Sequence, residues 1–74
     1  MSRLKMIDPV AMVKILQKLG FTKIRQTGSH ITYIHPDGRI TTISMHKGRD
    51  LPRTTVRKIL RDINLSIEEY NKLN

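Results

Sequence analysis

The sequence predicts an α+β domain: an amphipathic helix, a three-stranded antiparallel meander, a second amphipathic helix and a short closing helix. Three observations predict it. Apolar residues keep the i, i+3, i+4, i+7 period at Met12, Ile15, Leu16 and Leu19 and again at Val56, Ile59, Leu60 and Ile63. Between the two stripes the period drops to two, with turn residues at Gly28 and at Pro36-Asp37-Gly38. The 74 residues leave room for one domain, so 1–74 is read as a single unit. Two helices and a meander bury their apolar faces best as two layers, with the helices on one face of the sheet and the other face toward solvent.

Each element has a local cause. Asp8 is a good N-cap, and Pro9 suits the first helical position, where its missing N–H costs nothing. Lys14, Gln17 and Lys18 lie off the apolar stripe, and Gly20 supplies the left-handed stop. Phe21 to Thr27 reads as the first strand and Ser29 to His35 as the second. In the second, Ile31 and Tyr33 share one face, and His30, Thr32 and Ile34 the other. In the turn that follows, Pro36 presets φ, Asp37 bonds its own backbone and Gly38 accepts positive φ. Arg39 to Met45 is the third strand, and His46 to Leu51 a polar loop. The second long helix runs from about Pro52 or Arg53 to Ile63, with Arg53, Arg57 and Arg61 recurring every four residues beside its apolar stripe. Ser66-Ile67-Glu68-Glu69 is a capping box, so a last helix covers 67–73.

The composition excludes several classes of function. The chain has no cysteine, hence no disulfide framework and no thiolate metal site. His30, His35 and His46 are the only histidines, and no two stand in an H-x-x-x-H spacing, so neither a metal nor another cofactor is expected. No apolar run reaches the 18 residues that mark a membrane span, and no apolar signal core follows Met1-Ser2-Arg3-Leu4-Lys5, which makes the cytoplasm the expected compartment. The net charge is +8, and the densest window, 47–61, holds six of the fourteen basic residues and one of the six acidic ones. A field of this size draws in polyanions, and nucleic acid is the expected partner ahead of an anionic membrane or an acidic protein.

Acting on RNA calls for a group that can take a proton from a 2′-hydroxyl near neutral pH, which is the province of histidine, and for cations that stabilise charge on the phosphate. His30 follows the Gly28-Ser29 turn on a central strand and points away from the core if Ile31 and Tyr33 face the helices. His35, at a turn, reads as merely solvated. His46 opens the basic loop His46-Lys47-Gly48-Arg49, where flanking cations favour phosphate contact. Asp37 and Asp50 are isolated, and the four glycines are too scattered to cradle a phosphate. At 4% aromatic residues, a base-stacking platform is not expected.

These residues also resemble a known family. Gly28-Ser29-His30 followed by Tyr33, then His35-Pro36-Asp37-Gly38-Arg39, then Thr42-Ile43 with His46, is similar to the HicA-type mRNA-interferase toxins. The stretches Leu51 to Arg61 and Leu65 to Tyr70 resemble the family's last helices, so the likeness runs from about Met6 to Leu73. It implies a fold like a double-stranded-RNA-binding domain and a metal-independent endoribonuclease that cuts messenger RNA. It also implies a HicB-type antitoxin covering the active site. The catalytic histidine implied is the one in the G-S-H triplet, His30. Two departures stand near the basic loop: Ser44 where the family usually has proline, and Thr54-Thr55-Val56 where it usually has Gly-Thr-Leu.

The expected mechanism follows. His30 is the general base on a 2′-hydroxyl, the oxygen attacks the adjacent phosphate in line, and a cyclic phosphate and a free 5′-hydroxyl result. Lys47, Arg49, Arg53 and Arg57 hold the RNA backbone. The second proton-transfer partner is His46 or water. Three other readings compete: a non-catalytic RNA-binding module of the same fold, a DNA binder using the second long helix, and an interaction protein whose cations meet an acidic partner.

Overall fold

The computed structural model describes residues 4–45 and 49–73. Its elements, in chain order, are α1 (Pro9–Lys18), β1 (Thr22–Thr27), β2 (His30–Ile34), β3 (Ile40–Ser44), α2 (Arg53–Asp62) and α3 (Ile67–Leu73). This is the expected α+β order, a helix, a three-stranded antiparallel sheet in the order β1-β2-β3, then two helices, and it matches the arrangement of a double-stranded-RNA-binding domain.

The ends of the helices form as their residues dictate. Asp8 accepts a hydrogen bond from the Ala11 N–H at 2.7 Å, and Gly20 takes φ +97° just after the Leu19 cap. The α2 helix stops where Asn64 turns to φ +56°, and its cap, Ile63, is fully buried. The capping box of α3 closes in both directions. The Glu69 N–H donates to Ser66 Oγ at 3.1 Å, and the Ser66 N–H donates to Glu69 Oε1 at 3.3 Å.

Both long helices pack over the β3 side of the sheet. The core joins Met12, Ile15 and Leu16 of α1, Ile31 and Tyr33 of β2, Ile43 of β3, Val56, Ile59 and Leu60 of α2, and Tyr70 of α3. Each large apolar side chain buried in this way contributes roughly 1.5–3 kcal/mol before entropy is set against it. Strand β1 stays outside this shelter. All six of its residues are exposed, and the register slips between Lys23 and Arg25, which makes Ile24 the extra residue of a bulge. Strands β2 and β3 are each one residue shorter at both ends than the sequence pattern suggests, whereas β1 ends at Thr27 as expected and begins one residue later, leaving Phe21 buried just ahead of it.

The segment before α1 is built into the fold. Leu4 and Ile7 are buried, the Leu51 N–H donates to the Ile7 carbonyl at 2.8 Å, and the Tyr70 hydroxyl donates to the Lys5 carbonyl at 2.6 Å.

Candidate functional site

The hairpin between β1 and β2 has a two-residue loop, Gly28-Ser29, with Gly28 at φ +59° and Thr27 paired to His30. Positive φ at the first loop position alone is the type II′ pattern, which matches the twist of the strands it joins and fixes their register. The Gln26 side chain steadies the turn by donating to the Gly28 carbonyl at 3.1 Å. His30 is the first residue of β2, and it is exposed. Its partners are Thr27 on one side and Ser44 on the other, so it occupies the middle of the sheet at one end. Ile31 and Tyr33 are buried under the helices, and alternation therefore puts His30 on the open face. Burial also pushes the Tyr33 hydroxyl up from its ordinary pKa, which keeps it neutral. The open face continues away from His30 through the pairs Thr32–Thr42, with hydroxyls 3.4 Å apart, and Ile34–Ile40.

The basic elements gather at the same end. The Met45 N–H donates to the Ser29 carbonyl at 2.7 Å, extending the ladder past Ser44. An open cleft of about 620 Å³ begins there, bounded by Pro9, Ser44, Met45, Arg49, Asp50, Leu51, Pro52 and Thr55. It brings the start of α1, the end of β3, the basic loop and the start of α2 together. Pro52 caps α2 without a side-chain hydrogen bond, and the partial positive charge of a helix start adds to that of Arg49 and Arg53. Arg53, Arg57 and Arg61 are all exposed, and none has an ion-pair partner among the described residues. Lys58, beside them, is engaged: its Nζ lies 3.1 Å from Asp62 Oδ2, which also accepts from Thr41 Oγ1 at 3.1 Å.

Of the sequence-expected site, His30, Arg49, Arg53 and Arg57 are thus exposed, and Arg49 lines the cleft that is also bordered by Ser44, the cross-strand partner of His30. Lys47 and His46 lie outside the described residues. Among the described residues, no group of three or more His, Cys, Asp or Glu side chains is placed to hold a metal ion.

The family model described as the HicA toxin of bacterial toxin–antitoxin systems matches residues 11–65. The chain belongs to the HicA toxin family. The matched range contains His30, Arg49, Arg53 and Arg57 and stops short of α3. No curated protein matches the chain. HicA membership makes this a toxin of a toxin–antitoxin pair and implies an antitoxin partner. No helix among the described residues of this HicA-family toxin is long and apolar enough to cross a membrane.

One residue expected to be idle has a role. His35 is half-buried rather than solvated. Its Nδ1 accepts from the Asp37 N–H at 3.1 Å, and its ring lies 5.2 Å from that of Phe21. This pairing sits at the far end of β2 from His30 and is structural. Of the cleft residues, Met45 carries no sequence signal, Ser44 and Thr55 stand out only as departures from the family pattern, and Asp50 only as an isolated carboxylate.

Proposed function

We propose that residues 1–74 form one cytoplasmic RNA-cleaving domain, a metal-independent endoribonuclease that cuts messenger RNA and blocks translation until a HicB-type antitoxin covers it. The observation that carries this reading is His30: exposed, held by a two-residue turn, and directly across from Ser44, which borders the cleft shared with Arg49 and the start of α2. A group on a rigid strand start is well suited to proton transfer, because its geometry is set before substrate arrives.

In this mechanism His30 takes the proton of a 2′-hydroxyl. The oxygen attacks the adjacent phosphorus in line, the bond to the 5′-oxygen breaks, and a 2′,3′-cyclic phosphate is left. The departing 5′-oxygen receives a proton from His46 or from water. Lys47, Arg49, Arg53 and Arg57 hold the backbone and stabilise the charge that builds on the phosphate.

The test uses a defined messenger RNA in EDTA, with wild-type protein beside a His30→Ala variant whose fold is checked by circular dichroism. Cleavage by the wild type and a loss of about 10²–10⁴-fold in the variant, with RNA affinity retained, is expected. Equal cleavage by both would remove His30 from the mechanism. Absence of cleavage by either, with RNA bound, would leave a binding module of the same fold.

A further inference from the structure

The cleft beside the histidine combines two kinds of surface. Pro9, Met45 and Pro52 give it apolar walls, while Arg49 and Asp50 bring charge. Its size falls within the range of about 300–1,000 Å³ typical of ligand sites. A flat group with an apolar face and a hydrogen-bonding edge suits such walls, and in single-stranded RNA that group is a splayed-out base.

Asp50 narrows the choice. It is the only acidic residue in the window 47–61, and it is exposed and enters no ion pair among the described residues. A carboxylate at the edge of a phosphate-binding surface repels the backbone, so it opposes binding unless it meets a donor. The donors RNA offers are the ribose 2′-hydroxyl, which is the same on every nucleotide, and the base N–H groups, which alone differ between bases. Guanine alone presents two adjacent ones, N1–H and N2–H, which match the two oxygens of a carboxylate; adenine, cytosine and uracil each offer one group on that edge. An Arg guanidinium provides a plane on which a base can lie.

We propose that this cleft is a guanine subsite for the RNA substrate, with Asp50 accepting from N1–H and N2–H and with Arg49 and Met45 against the ring. Cross-strand partners stand about 5 Å apart, so Ser44 sets the cleft within a nucleotide's reach of His30. The subsite rests on the reading of this chain as an RNA-cleaving toxin, and it adds a base preference next to the cleaved bond.

The experiment uses the His30→Ala protein, which leaves RNA intact, and short fluorescent oligouridines carrying guanine, inosine or adenine at one central position. Fluorescence anisotropy should give about tenfold tighter binding for guanine than for adenine. Inosine, which lacks the N2 amino group, should fall between them. Adding Asp50→Asn should shrink the gap to less than about twofold; Asp50 is exposed, and circular dichroism checks the fold. Discrimination that survives Asp50→Asn, or equal binding of all three oligonucleotides, overturns the subsite. Wild-type protein that cleaves messenger RNA without preference near guanine also overturns it while leaving the nuclease intact. Discrimination abolished by Asp50→Asn in a protein that never cleaves keeps the subsite and removes the nuclease. Absence of binding to any of the RNAs overturns both.

Discussion

Arg39, at the threshold of β3, donates through Nη1 to the carbonyl of Ile63, the residue that caps α2. Helix ends leave carbonyls without intrahelical partners, and here a side chain from the sheet layer supplies one. Asp37 aims the guanidinium, with Oδ2 accepting from Arg39 Nε at 2.8 Å, and the same guanidinium lies 5.2 Å from the centre of the Phe21 ring. One cation therefore ties the β2–β3 turn, a buried aromatic ring and the end of α2 together. All of this happens at the end of the sheet remote from His30.

Replacing Arg39 should accordingly reduce stability and not chemistry. Arg39→Ala is expected to lower the unfolding free energy in urea by about 1.5–3 kcal/mol, the range for hydrogen bonds to charged groups. Arg39→Lys should recover little of it, because a point charge cannot meet Asp37, the Ile63 carbonyl and the Phe21 ring at once. RNA cleavage by either variant, measured well below its unfolding midpoint, should match wild type. A selective loss of cleavage would mean that Arg39 touches substrate.

The same cluster predicts an acid-dependent loss of stability. The hydrogen bond from the Arg39 backbone N–H, helped by the Arg39 side chain and by His35, holds the Asp37 carboxyl below its ordinary value of 3.8. A group whose pKa is depressed by folding stabilises the native state above its unfolded pKa and loses that contribution as pH falls through the folded value. The urea midpoint of the wild type should therefore drop more steeply below about pH 4 than that of Asp37→Asn, with the wild type the more stable at neutral pH. Parallel curves across that window would show that the carboxylate contributes nothing.

Salt dependence should separate the cations on α2. If Arg53 and Arg57 contact phosphates, each change to alanine should lower the slope of log affinity against log salt by about 0.7 on single-stranded RNA, whatever its sequence. Lys58→Ala should change it less, because that ammonium already meets Asp62 at 3.1 Å. Equal slopes for all three variants would make the arginine row an ordinary solvated face.

Gly20 gives a steric test. At φ +97° an added Cβ is strained, and it would stand 3.1 Å from His35 Nε2. Gly20→Ala is expected to cost about 1–3 kcal/mol by thermal or urea unfolding. Combining it with His35→Ala should relieve the contact but not the backbone strain, so the double variant should be more stable than the two costs added together predict. Strict additivity would place the whole penalty in the backbone.

What could be read from sequence was what depends on neighbouring residues. Asp8, Gly20, the Gly28 turn and the Ser66–Glu69 box act within four positions of themselves, and each formed as its chemistry dictates. Alternation along β2 was enough to expect Ile31 and Tyr33 inside and His30 outside. The bulge at Ile24 is not legible in the sequence because it depends on how β1 meets β2, and the roles of His35 and Arg39 are not because their partners Phe21 and Ile63 are distant in the chain. The cleft is the clearest case: Pro9, Ser44, Asp50 and Thr55 become neighbours only once the fold exists.

The contact between Tyr70 and Lys5 makes the position of one cleft wall depend on α3. The fully buried Tyr70 reaches back 65 positions to Lys5, in the segment whose Ile7 carbonyl holds Leu51 next to Arg49 and Asp50. A chain without Tyr70 has no such clasp, and closing a loop of 65 positions carries an entropy cost that the contact must offset. Loosening α3 would therefore reach the cleft wall at Arg49 and Asp50 without touching either residue.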